Sequence, residues 1–150
     1  MNRILAVLVL TCAAACGGSS DSGGSIKNLA NFEGVTWNGQ ITSTVTCTGS
    51  APQSSAATYA VIFSAGTGAD LQYTSQAGCV FKFNVSGNTA SLANSPVACS
   101  SNVGGTPVTL SWTNYAVTTS DGHNLTISAA GSGSASGQTC PFTQTGTAAR

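Results

Sequence analysis

The chain has 150 residues, long enough for one ordinary domain and too short for two. Four Lys and Arg balance four Asp and Glu, so charged side chains make up 5% of the chain and the formal net charge is zero. That composition excludes a basic surface for nucleic acid and a carboxylate cage for a hard cation, and with a single His it leaves few groups for acid, base or metal-ligand work.

The chain begins Met1-Asn2-Arg3, with one positive charge, and continues as an unbroken apolar run over residues 4–10 and small residues up to Cys16. This is the layout of a secretory signal, and the run is far shorter than the roughly 20 residues a membrane-spanning helix needs. Ala13-Ala14-Ala15-Cys16 resembles the lipobox of bacterial lipoprotein precursors. The resemblance implies a signal peptide over residues 1–15, acyl chains of palmitate type on Cys16, and a membrane partner held through that lipid. Gly17 rather than Asp follows the Cys, which in lipoproteins of enteric type implies passage to the outer membrane. Two or three acyl chains, at about 0.8 kcal/mol per buried CH₂, make a stable anchor where one would be marginal. Residues 17–25 are Gly, Ser and one Asp, with nothing to bury, so residues 16–30 read as lipidated Cys and flexible tether and residues 31–150 as the domain.

Of the six Cys, removal of Cys12 with the signal and use of Cys16 for lipid leave Cys47, Cys79, Cys99 and Cys140. An even number in an exported domain suggests two disulfides. No pair is spaced C-x-x-C and the His stands alone, so neither a metal nor another cofactor is expected.

Short runs rich in β-branched and aromatic residues alternate with Gly, Ser and Asn in this domain, an all-β pattern. The clearest run is residues 35–48, where Val35, Trp37, Gly39, Ile41, Ser43, Val45 and Cys47 share one parity and Thr, Asn and Gln fill the other. Period two means one face buried and one wet. The Trp37-Asn38-Gly39 start of this run resembles the opening strand of lipocalin-like and avidin-like barrels; the likeness is confined to these residues and implies no binding residues. Further strands fit residues 58–64, 69–75, 79–86, 89–94, 108–119, 124–131 and 136–147. Ser86-Gly87-Asn88-Thr89 and Ser120-Asp121-Gly122-His123 read as tight hairpin turns. Looser connections are expected at residues 66–68, 76–78 and 131–133, with residues 131–137 flexible, and residues 94–106 form the one long irregular link. Thr113 and Asn114 break the alternation between Trp112 and Tyr115, as a bulge would.

About eight strands joined to their sequence neighbours favour a small antiparallel up-and-down β-barrel, because closure removes the exposed edges of a neutral sheet; two packed sheets in a β-sandwich are the alternative. With Ser86 opposite Thr89, Cys79 falls opposite Pro96 and close to Cys99. That leaves Cys47 and Cys140 on the first and last strands, side by side in a barrel. The inward parity collects Trp37, Tyr59, Val61, Phe63, Leu71, Tyr73, Phe81, Phe83, Leu110, Trp112, Leu125 and Ile127.

An eight-stranded barrel is just wide enough to fill with these side chains or to hold one small ligand, in which case Trp37 and Trp112 form the wall and Tyr73 supplies a hydroxyl. Asp121 and His123 at a hairpin tip resemble an acid orienting a base, but turn chemistry explains the Asp. No G-x-S-x-G elbow or phosphate loop occurs, so no catalytic residue and no enzyme is expected. The expected function is an outer-membrane lipoprotein with a non-enzymatic structural or protein-interaction domain facing an envelope protein. Two alternatives stand beside it. One is a carrier or sensor of a small apolar ligand; the other is an envelope protease inhibitor presenting residues 94–106.

Overall fold

A computed structural model describes residues 26–103 and 106–150. The signal segment, Cys16 and residues 17–25 lie outside the described residues. The described chain is almost wholly strand, with a single 3₁₀ turn at Leu29–Asn31. The strands are β1 (Thr36–Val45), β2 (Gln53–Ile62), β3 (Ser64–Ala65), β4 (Leu71–Thr74), β5 (Val80–Ser86), β6 (Thr89–Leu92), β7 (Val97–Val103), β8 (Thr106–Thr119), β9 (Asn124–Ala135) and β10 (Gln138–Ala149).

All ten lie in one antiparallel sheet of order β2-β1-β10-β9-β8-β6-β5-β4-β3, with β7 paired to β8 beside β6. The two ends of this path, β2 and β3, are one stretch of chain interrupted only by Phe63. The sheet therefore curls until it meets itself. β6 and β7 likewise lie along one side of β8, so the ten strands occupy eight positions and follow chain order around a barrel, as expected. The first and last strands pair directly, Gln40 opposite Thr147 and Val45 opposite Phe142.

Curling this tightly requires close backbone approach at inward positions. A methyl group at Gly39 would collide with the Thr147 carbonyl, and one at Gly131 with the Ser111 carbonyl and the Phe142 ring. Only glycine fits there. The bulge between Trp112 and Asn114 lets both parities of β8 face inward, Leu110 and Trp112 before it, Tyr115 and Val117 after. Thr113 secures it by donating its hydroxyl to the Ala130 carbonyl and accepting Ser95 Oγ on its own carbonyl.

Several boundaries differ from expectation, each for a physical reason. Residues 97–103, expected within an irregular link, form β7 along β8 with Cys99 opposite Leu110; long-range pairing outweighs the surrounding turn formers. Residues 131–135, expected as a flexible connection, continue β9. The turn falls instead at Ser136 and Gly137, whose φ angles of 50° and 80° suit a primed hairpin. The turn after β8 is longer than a two-residue hairpin, since Thr119 faces Leu125. β2 begins at Gln53 rather than at residue 58, drawn into extension by pairing with β1. Residues 26–30, expected in the tether, belong to the domain: Lys27 bridges Gly87, and Leu29–Asn31 turns Phe32 into the interior. The Ser86–Thr89 register is as expected.

Candidate functional site at the mouth of the barrel

The barrel has two unlike ends. At the first, the starts of β1 and β9 meet the β5–β6 and β8–β9 turns, and Phe32 plugs the opening. Phe32, Trp37, Phe63 and Phe83 are all 0% exposed there. Phe63 packs edge-on against Phe32 and Phe83 at 6.3 and 5.6 Å between centroids. Trp37 Nε1 donates to the Phe32 carbonyl at 3.4 Å, and the Arg150 guanidinium lies 5.3 Å from its ring centre. Around the rim the Asn28 and Asn31 amides donate to Asn88 Oδ1, and Lys27 pairs with Asp70 at 2.8 Å. That ion pair comes first, and the Val85 N–H second, in holding the Asp70 carboxyl below the usual carboxylate range.

Asp121 and His123 sit at this closed end. The Asp121 carboxylate accepts the Asn124 side-chain amide and the N–H groups of His123 and Asn124, each at 2.8 Å. These bonds hold its carboxyl well below the ordinary range, with the Asn124 amide the largest cause. The carboxylate is fully occupied in shaping the turn.

At the opposite end the interior opens. The aromatic stack continues upward from Phe83 and Tyr115 through Phe81 to Trp112 and Phe142, with centroid spacings of 5.1–5.6 Å. Tyr73 lies flat on Phe81, 5.8 Å away at 18°. Above this layer the inward parity no longer seals the wall, and Val45 is 37% exposed. Two clefts open here, both bordered by Leu110. One, of about 310 Å³, runs between Tyr59, Tyr73, Trp112 and the Cys79–Cys99 bridge. The other, of about 360 Å³, is lined by Val45, Val108, Phe142 and the Cys47–Cys140 bridge.

Both disulfides thus lie at the mouth, and their partners are those the strand register pointed to. Cys47 and Cys140 join the end of β1 to the start of β10 with Cα atoms 4.5 Å apart. Cys79 and Cys99 join the β4–β5 turn to β7 across 5.8 Å. The first cleft is the gap in the sheet itself: among the described strands β2 pairs only with β1, and its start stands apart from β7.

A polar chain crosses the layer below the mouth. Trp112 Nε1 donates to Gln144 Oε1 at 3.3 Å, and Gln144 Nε2 donates to Ser43 Oγ at 3.0 Å, so the indole is fixed from the far wall. Tyr59 is different. Its hydroxyl is buried and has no hydrogen-bond partner among the described residues. Leaving such a group unpaired costs about 1–3 kcal/mol. Burial first, and neighbouring Tyr73 second, push its pKa up to about 12, and burial raises Tyr73 and Tyr115 as well.

The structure brings Tyr73 and Trp112 together at the mouth and places Trp37 at the other end, buried under Phe32 and outside either cleft. Parity reports which face of the sheet a residue occupies, not its height along the barrel. Tyr59 was legible as inward, yet nothing in the sequence marked its hydroxyl as unpaired. Tyr115 faces the interior only because the bulge shifts the parity of β8.

Comparison with protein-family models, with curated proteins and with solved structures finds no match in any of the three.

Proposed function

We propose that this protein is a lipid-anchored component of the bacterial cell envelope, held to the outer membrane through Cys16, whose barrel is a non-enzymatic interaction module. The observation that carries this reading is where the chain enters the fold. The Ile26 carbonyl accepts the Gly87 N–H and Lys27 bridges Gly87, both at the plugged end. The described chain therefore enters the barrel at the plugged end, where a tether to Cys16 would attach, opposite the mouth and its clefts. The exposed β1 and β10 positions, among them Thr42, Thr145 and Thr147, keep the outer wall hydrated without charge. The test is fractionation: Cys16→Ser is expected to move the protein from the membrane to the soluble fraction, and unchanged partitioning would refute the anchor.

A second reading is a carrier or sensor of a small apolar ligand, favoured by the cleft between Tyr73 and Trp112. It takes the ligand at the mouth rather than in the body of the barrel, where Phe32, Phe63 and Phe83 leave no room. The protease-inhibitor reading loses its protruding loop, since Val97–Val103 is bound into the sheet beside β8.

A further inference from the structure

Two of the chain's three tyrosines line one cleft, Tyr59 from β2 and Tyr73 from β4, while Tyr115 from β8 packs in the aromatic layer against Phe81. The Tyr73 ring is braced by Phe81, which stacks under it and meets Tyr115 edge-on, so Tyr73 is a preset wall rather than a loose side chain. Trp112 forms the facing wall, fixed by Gln144. No charged side chain among the described residues lines the cleft. A charged guest would lose its hydration without gaining a counter-ion there. At about 310 Å³ the cleft is at the small end of the range for ligand sites.

We propose that this cleft binds a compact, uncharged molecule with a flat apolar body and one oxygen acceptor, the body lying between Tyr73 and Trp112 and the oxygen accepting the Tyr59 hydroxyl. This deepens the carrier reading and rests on it. The unpaired Tyr59 hydroxyl is what selects an acceptor: it stays protonated at neutral pH, and a buried donor without a partner gains most from a carbonyl or ether oxygen brought to it. Trp112 Nε1 is already committed to Gln144, whereas the Tyr59 hydroxyl has no partner among the described residues.

The test uses two probes of nearly the same shape, acetophenone, which carries a carbonyl, and ethylbenzene, which does not. The full-length exported protein, in lipid nanodiscs, is labelled with 5-fluorotryptophan; its two tryptophans give one ¹⁹F signal at each end of the barrel. Acetophenone is expected to shift the Trp112 signal saturably and to leave Trp37 unmoved, with ethylbenzene binding more weakly. Tyr59→Phe is expected to weaken acetophenone roughly three- to tenfold, the contribution of one neutral hydrogen bond, and to leave ethylbenzene unchanged. An unmoved Trp37 signal in the variant reports that the fold is intact. If both probes bind and Tyr59→Phe changes neither, the role of the hydroxyl is overturned while the cleft stands. If neither probe moves Trp112, or Trp37 moves instead, the cleft reading falls and the proposal with it.

Discussion

The two ends of this barrel solve the same problem by different means. At the plugged end, Phe32 fills the opening and four large aromatic side chains lose all contact with water. Burial alone suffices there, helped by amide and ionic contacts at the rim. At the mouth the sheet is left open beside β2, Val45 and the start of β2 stay exposed, and two disulfides hold what packing does not. A small domain with one end open gives up core at that end, and covalent bonds replace it.

Cutting the longer bridge should have the largest effect on this balance. Cys47→Ser with Cys140→Ser releases a constraint between residues 93 apart and is expected to cost about 4–5 kcal/mol in denaturant unfolding by the chain-entropy estimate. Phe32→Ala attacks the other end; removal of a fully buried aromatic plug is expected to cost about 3–5 kcal/mol. Next comes Cys79→Ser with Cys99→Ser, where a separation of 20 residues predicts about 3 kcal/mol and a wider cleft beside Trp112. A Phe32→Ala protein as stable as wild type would mean that the plug is not part of the core.

The smallest effects divide the two ends by pH. Asp70 and Asp121, at the plugged end, have folded-state pKa values below their unfolded ones, so the stability they contribute is complete above about pH 4 and is lost as pH falls further. Tyr59, Tyr73 and Tyr115, toward the mouth, have raised values, so their contribution is complete below about pH 10 and is lost as pH rises toward 12. Unfolding midpoints are therefore expected to stay level from about pH 5 to 9 and fall on both sides. Tyr59→Phe should soften the alkaline fall and leave the acid one unchanged. A midpoint that drops between pH 6 and 8 would contradict this assignment.

What the sequence disclosed follows the same division. Alternation over residues 35–48 pointed to the barrel, and the Ser86–Thr89 turn to the β5–β6 register and the Cys79–Cys99 pair, leaving Cys47 and Cys140 on the first and last strands, because pairing at period two is a local signal that propagates across a sheet. β7 stayed hidden because Pro96 and two glycines flank it and Asn102 lies within it, although Val97 and Cys99 keep inward parity. Gly131 and Gly133 looked like a linker. Both are strand residues, and at Gly131 close approach to the Ser111 carbonyl leaves no room for a side chain. The plug was illegible because Phe32 belongs to no periodic segment. Its place depends on where the barrel happens to end. Separating Trp37 from Trp112 required heights along the axis, which depend on how far each strand is staggered.

Amide hydrogen exchange before and after reduction of both disulfides tests the contrast between the ends most directly. Loss of the bridges is expected to release Val97–Val103, the start of β2 and the first residues of β10, while amides around Trp37, Phe83 and Ile127 keep their protection. Uniform loss of protection along the barrel, or a mouth as protected as the plugged end without its bridges, would contradict it.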